Sequence, residues 1–262
     1  MNIPIFQVDA FSGCLFKGNP AAVCFLREWL PDSLMQKIAR ENNLSETAFF
    51  VETGNHFHIR WFTPHSEIDL CGHATLATAH VLYHHLGYGE KAIHFTSASG
   101  GLTVSRSGQM IVLDFPARPA QVVDAPDELV RAIGIEPDEV LKGRDYMLVY
   151  SSEKLIAAIQ PDFPRLAEVA EHGVIVTAPG EKSDFVSRFF APAIGINEDP
   201  VTGSAHTTLI PYWSERLGWK DLTALQLSER GGELFCEDLG ERVLIKGRAV
   251  TFLQGEIFIS GV

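Results

Sequence analysis

Four polar residues stand out by type and position: Glu46, His73, Asp199 and Ser204. Glu46 opens the apolar run Thr47-Ala48-Phe49-Phe50. A carboxyl entering apolar surroundings has a raised pKa, which suits a general base near neutral pH. On position alone, a lone Glu at a strand start is more often a solvated end residue. His73 and Ser204 each follow a glycine, in the turns Glu67-Ile68-Asp69-Leu70-Cys71-Gly72-His73-Ala74-Thr75 and Glu198-Asp199-Pro200-Val201-Thr202-Gly203-Ser204-Ala205-His206. Gly72 and Gly203 stand at helix starts, where free N–H groups and the positive dipole end favour a carboxylate or phosphate. Glycine also lets a ligand approach the backbone. Two such ends facing each other across a domain cleft would hold a small anion. The plainer alternatives are Ser204 as an N-cap, His73 as a satisfied buried histidine and Asp199 as a charge complementing the dipole. A His on one side and a Ser on the other is chemically asymmetric, as an acid/base pair should be.

Other chemical signals are weak. His80 and His84 lie one helical turn apart, but no acidic third ligand has matching spacing, so no metal site is expected. His84 and His85 fit a helix end, where a cation is favourable. No glycine-rich nucleotide motif is present. Gly203-Ser204 lacks the surroundings of a nucleophile elbow, and no base is placed by sequence to activate the serine.

The elements that must position these residues come in duplicate. Arg60-Trp61-Phe62-Thr63-Pro64 reads like Arg188-Phe189-Phe190-Ala191-Pro192, an offset of 128 residues. After a three-residue slip the offset becomes 131, pairing Gly72 with Gly203, Ala74 with Ala205, Leu86-Gly87 with Leu217-Gly218 and Gly100-Gly101 with Gly231-Gly232. Two similar domains follow, residues 1–116 and 117–262, with the seam near Phe115-Pro116-Ala117-Arg118-Pro119. The pattern predicts helices over Ser33–Glu41 and Phe163–Glu171. Strands are expected at Ile3–Val8, Ala22–Leu26, Ala48–Glu52 and Phe57–Phe62, with Val174–Thr177 and Phe185–Phe190 matching the last two. A second helix then comes in each half, His73–Leu86 and Ser204–Leu217. The first is apolar nearly all round and so must be buried. Gly87 and Gly218 should stop these helices, and Pro211 should kink or shorten the second. Strands Gly101–Ser105 and Met110–Phe115, matched by Glu233–Glu237 and Arg242–Lys246, close each unit. Two final strands, Val250–Leu253 and Glu256–Ile259, are left open as to domain, the N-terminal one being an option. Short strands around a buried helix imply an α+β fold with a curled sheet.

The 262 residues carry a formal charge of −12, with 46% hydrophobic and 21% charged residues. That composition is globular, and its acidity argues against nucleic-acid binding. No apolar run has membrane-spanning length. The four cysteines, Cys14, Cys24, Cys71 and Cys236, form no C-x-x-C pair and read as reduced thiols of a cytoplasmic protein.

The motifs resemble the PhzF family of phenazine-biosynthesis-like proteins, within the diaminopimelate-epimerase fold. They are Phe16-Lys17-Gly18-Asn19-Pro20-Ala21-Ala22-Val23, Leu44-Ser45-Glu46-Thr47-Ala48, Arg60-Trp61-Phe62-Thr63-Pro64, Cys71-Gly72-His73-Ala74-Thr75 and Glu198-Asp199-Pro200-Val201-Thr202-Gly203-Ser204-Ala205, with Gln226 and Arg230-Gly231-Gly232. The resemblance implies two pseudo-symmetric domains, each a strongly curved, barrel-like sheet around a central helix. It also implies no cofactor, commonly a homodimer, and isomerisation by a proton shift. It maps catalytic roles onto Glu46, His73, Asp199 and Ser204. Asn19, Gly72, Thr202, Gly203 and Gln226 are expected to bind substrate. Amino-acid epimerases of this fold use two opposed cysteines, one directly before each glycine. Here those positions hold Cys71 and Thr202, which disfavours a two-thiol racemase. The leading expectation is a cofactor-independent isomerase of a small cyclic or unsaturated carboxylic acid. The alternatives are an epimerase or racemase using Cys71 and a non-catalytic small-molecule binder.

Overall fold

The computed structural model describes residues 1–259, which form two compact units. The first comprises Met1–Asp114 with residues 246–259, and the second Phe115–Ile245.

In chain order the first unit contains β1 (Asn2–Ala10), β2 (Asn19–Leu26), α1 (Asp32–Asn42), β3 (Glu46–Thr53), β4 (His56–Phe62), β5 (Glu67–Ile68), α2 (Gly72–His84), β6 (Ala92–Ser97), β7 (Gly100–Ser107) and β8 (Met110–Pro116), which ends at the unit boundary. The second continues with β9 (Gln121–Val122), α3 (Asp127–Ile133), β10 (Glu139–Lys142), β11 (Tyr146–Val149), α4 (Glu153–Ala158), α5 (Phe163–Val169), β12 (Val174–Pro179), β13 (Phe185–Phe190), α6 (Gly203–Leu217), β14 (Asp221–Gln226), β15 (Gly232–Asp238) and β16 (Arg242–Gly247). The last strand, β17 (Ala249–Phe258), lies antiparallel to β1.

The duplication seen in the sequence is a duplication of topology. In the first unit β1–β2 is antiparallel, β2–β3 parallel, β3–β4 antiparallel, β4–β6 parallel and β6–β7 antiparallel. In the second, β10–β11, β11–β12, β12–β13, β13–β14 and β14–β15 repeat that alternation. Every residue of α2 from Gly72 to Tyr83 is buried, as its all-round apolar pattern requires. The helix packs on β1, β2, β3 and β17.

A second duplicated device explains why the repeat slips by three residues. Arg60 on β4 forms a two-pronged bond to Glu67, with Nε to Oε1 at 2.7 Å and Nη2 to Oε2 at 2.6 Å. Arg188 on β13 does the same to Glu198, at 2.7 and 3.0 Å. Each guanidinium also lies over the Phe two residues on, Phe62 or Phe190. The arginines are offset by 128 and the glutamates by 131, so the three extra residues fall between them, where a 3-10 turn (Pro192–Ile194) sits. Both braces tie a strand to the turn that leads into the buried helix.

Several expectations need correction. Pro211 does not shorten α6, which runs 15 residues to Leu217. Proline cannot donate to the carbonyl four residues back, but that carbonyl, on Thr207, accepts the N–H of Arg118 at 2.9 Å instead. The Thr208 hydroxyl donates in turn to the Arg118 carbonyl. Ser204 is not the N-cap, since Thr202 holds that position and its side chain caps nothing in the helix. The two final strands are one, because β1 pairs with β17 past Gly255 and leaves only a bulge near Val8. Helices α3 and α4 and strands β5, β6, β9, β10, β11 and β14 have no counterpart in the sequence pattern.

The two braces differ in exposure. Arg188 is 9% exposed and also donates to the carbonyls of Ile156 and Ile159. Arg188→Met should cost about 3 kcal/mol in urea unfolding, because it strands a partly buried carboxylate. Arg60→Met, whose brace partner Glu67 has a side chain 37% exposed, should cost at most about 1 kcal/mol.

Candidate active site

In the first unit the backbone brings Asn19, Glu46 and His73 together. Strands β2 and β3 run parallel and begin at the same end, with Ala21 beside Glu46. Gly18 directs the entry to β2. Its φ is +68°, and a Cβ there would lie 2.1 Å from the Ala10 carbonyl oxygen, so only glycine fits. His73 is the second residue of α2. Asn19, Glu46, Cys71 and His73 are all buried.

His73 has neighbours at both ring nitrogens. Nε2 lies 2.9 Å from Oε2 of Glu46, although neither atom has an aligned hydrogen bond. Nδ1 lies 3.2 Å from the Asn19 amide and 3.5 Å from the Cys71 sulfur. Burial alone would depress the imidazole pKa, but its neighbours Cys71 and Glu46 carry it well above its ordinary value. Burial first, then the Glu46 charge, pushes the Cys71 thiol up to about 11. Cys71 is therefore a thiol at neutral pH, and the Glu46 carboxylate is the charge that holds His73 protonated. The Asn19 atom facing Nδ1 is the amide nitrogen; a protonated ring donates from both nitrogens, which calls for the amide to be turned so that its oxygen accepts. Asn19 thus orients His73, a role its motif did not reveal.

The second unit builds a different turn. The Thr202 hydroxyl donates to Oδ2 of Asp199 at 2.6 Å. Gln226, fully buried on β14, accepts the Thr202 N–H at 2.8 Å and donates to the Asp199 carbonyl at 2.8 Å. Gln226 is thus a clamp across the turn. His206 Nδ1 donates to the Thr202 carbonyl at 2.8 Å, as Thr75 does to the Cys71 carbonyl one repeat earlier. Burial lowers the His206 pKa to about 4, so the ring stays neutral. Ser204, in the first turn of α6, is partly exposed. Gly72 and Gly203 are the first residues of α2 and α6, and no side chain caps either helix. At the other end of α2, the His80 and His85 Nε2 atoms both meet the Thr251 hydroxyl, at 2.9 and 2.7 Å.

Residues 8–255 match the PhzC-PhzF family, described as phenazine biosynthesis-like protein. An uncharacterized isomerase of Pseudomonas aeruginosa is 52% identical over 259 residues, 99% of this chain and 100% of that protein. The crystal structure of a PhzF family protein from Enterococcus faecalis is 50% identical and superposes with a TM-score of 0.96 over 99% of this chain and 100% of that one. A hydroxyproline epimerase from Agrobacterium vitis, 10% identical, superposes at 0.63 over 98% of this chain and 92% of its own, and shows the fold alone. The molecule is therefore an α+β protein of the diaminopimelate-epimerase-like fold. The chain belongs to the PhzC-PhzF family and is an isomerase of PhzF type.

The protonation states are open to test. The His73 ring should remain protonated well above pH 6.5 in an NMR titration, and its pKa should fall in Glu46→Gln. A raised histidine pKa stabilises the fold fully below pH 6.5 and loses that contribution as pH rises through the folded value. His206 has the opposite sign. Its contribution is present above pH 6.5 and lost as pH falls from 6.5 towards 4, about 3 kcal/mol at most. His80, also lowered to about 4 by burial and by His84 and His85, adds to that loss. The urea midpoint should therefore drop steadily over this range.

Proposed function

We propose that the protein is a cofactor-independent isomerase that shifts a proton on a small cyclic or unsaturated carboxylic acid. The observation that carries this reading is the buried Glu46–His73 pair, with 2.9 Å between carboxylate oxygen and ring nitrogen. Glu46 removes a proton from an activated carbon, and His73 or Glu46 itself returns one elsewhere. The raised His73 pKa suits the acid role. The uncapped N–H groups of Gly72 and His73 suit a substrate carboxylate and the charge that develops on it. In the second unit, Asp199 and Ser204 keep the catalytic roles that the family likeness suggests. Gly203 and Thr202 there belong to a helix start able to hold an anion, with Gln226 keeping that start in shape.

A racemase using Cys71 is less well supported. Its thiol pKa of about 11 leaves little thiolate at neutral pH. The position that would carry the second thiol is Thr202, whose hydroxyl is already donated to Asp199.

We place the protein in the cytoplasm, in keeping with its four free cysteines. Among the described residues no helix is long and apolar enough to cross a membrane. The homodimer reading is supported by a surface cluster on the first unit. Phe16, 65% exposed, meets Phe252, 45% exposed, edge to face at 5.7 Å, and their sequence neighbours Leu15 and Leu253 are exposed as well.

Two measurements test these readings. Small carboxylic acids, both ring acids and amino acids, are first screened by thermal shift. A ligand so found should then take up solvent deuterium with wild type, about 10²–10⁴-fold more slowly with Glu46→Gln, while both proteins bind it. A fully active Glu46→Gln would remove Glu46 from the mechanism. In sedimentation velocity wild type should run as a dimer and Phe252→Asp as a monomer, and a monomeric wild type would overturn the dimer.

A further inference from the structure

Around His73 lie a sulfur, a nitrogen and an oxygen donor from three different side chains. One ligand atom each from Glu46, Cys71 and His73 lies within 4.8 Å of the other two. We propose that this trio is a binding site for a divalent transition metal of the zinc type.

The geometry is close to what such an ion requires. Zinc takes imidazole nitrogen and carboxylate oxygen at about 2.0–2.2 Å and thiolate sulfur at about 2.3 Å. A tetrahedron with those arms separates its ligand atoms by roughly 3.3–3.8 Å. Glu46 Oε2 and His73 Nε2, now 2.9 Å apart, need to open by a few tenths of an ångström. The Cys71 sulfur lies 3.5 Å from Nδ1, the ring nitrogen that does not face Glu46, so its side chain must swing round the ring edge to join them, within the 4.8 Å that already spans the three donors. The three anchors belong to stiff elements: the first residue of β3, the N-cap of α2 and its second residue.

The donor set also selects the ion. Magnesium and calcium take oxygen ligands, whereas a thiolate–imidazole–carboxylate set suits zinc and its neighbours. Three protein ligands leave the fourth position for water or a small ligand. The His80–His84 turn, at which the spacing leads to no metal expectation, offers less. His80 Nε2 is engaged by Thr251, and no carboxylate or thiol completes a cluster there among the described residues.

On binding, a metal–sulfur bond forms as the thiol proton leaves to solvent. A metal–nitrogen bond forms as the imidazolium gives up one proton. A metal–oxygen bond to Glu46 completes the set, and no electron is transferred. This inference stands apart from the catalytic reading. A metal could bind an inert trio, and a working trio could refuse a metal.

The experiment is a titration of the metal-free full-length protein with Co²⁺, a coloured stand-in for zinc, under reducing conditions. One equivalent should produce a thiolate-to-cobalt charge-transfer band with tetrahedral visible absorption, and both should vanish on addition of Zn²⁺. Cys71→Ser, folded by circular dichroism, should lose the charge-transfer band. Cys14→Ser, which removes an exposed thiol, should keep it. His73→Gln should lose stoichiometric binding. No band in the folded wild type, a band that survives Cys71→Ser, or a band lost in Cys14→Ser would each overturn the proposal. Because no substrate is involved, these results do not depend on whether Glu46 is the base.

Discussion

A carboxylate and an imidazole held 2.9 Å apart, each less than a tenth exposed, set the terms for the first unit. An isolated buried charge is costly, and a buried pair repays its desolvation only when its geometry is well held. Each surrounding element contributes to that holding. Gly18 bends the chain so that Asn19 reaches the far side of the ring. The parallel start of β2 and β3 sets Glu46 at the strand edge. The all-round burial of α2 fixes the backbone of His73.

The pair is also unfinished as a bond. Its atoms are within contact distance, yet neither is aligned as a hydrogen bond. A salt bridge serving stability alone would be expected to saturate its donors and acceptors, as Arg188 does with Glu198 and two backbone carbonyls. The contrast within one chain separates the two uses of buried charge. The arginine brace is closed on all sides and positions a turn, while the Glu46–His73 pair keeps bonding capacity for something else.

Much of this was legible in the sequence because it rests on local rules. The uniform apolarity of α2 announced a buried helix, the glycines at 72 and 203 announced its start and that of α6, and the constant offset announced two units. The brace was half visible, as Arg60 and Arg188 with their three-residue slip, but its glutamates lie outside the aligned pentapeptides. What could not be read depends on contacts far apart in the chain. The survival of α6 through Pro211 needs the N–H of Arg118, 89 residues before the Thr207 whose carbonyl it meets. The clamp role of Gln226 needs β14 to bring its amide to Thr202. Asn19 as the partner of His73 needs a separation of 54 residues to be closed. A buried polar residue that holds a neighbour in place and one that binds a ligand have the same signature in one dimension, so the bonds that Gln226 and Asn19 make could not be read there.

Comparing the two units position by position shows what duplication kept and what it released. The buried side chain four residues after each N-cap still bonds the cap carbonyl, Thr75 to Cys71 and His206 to Thr202, although a hydroxyl has been exchanged for an imidazole. The helix start was therefore retained as geometry, with the residue type free to vary. At the strand that enters beside it the reverse holds. Glu46 pairs with Ala21 at the start of the parallel β2–β3 ladder, and the matching place on β12 is Val174, paired with Tyr146 and fully buried. An apolar residue there is the ordinary solution for a strand end under a packed helix. A carboxylate at the same position in the other copy brings a desolvation cost that the frame does not require. Among the described residues the cation beside it is His73, which the second copy replaces with Ser204. The carboxylate and its cation are thus present together in one unit and absent together from the other, as two halves of one function would be.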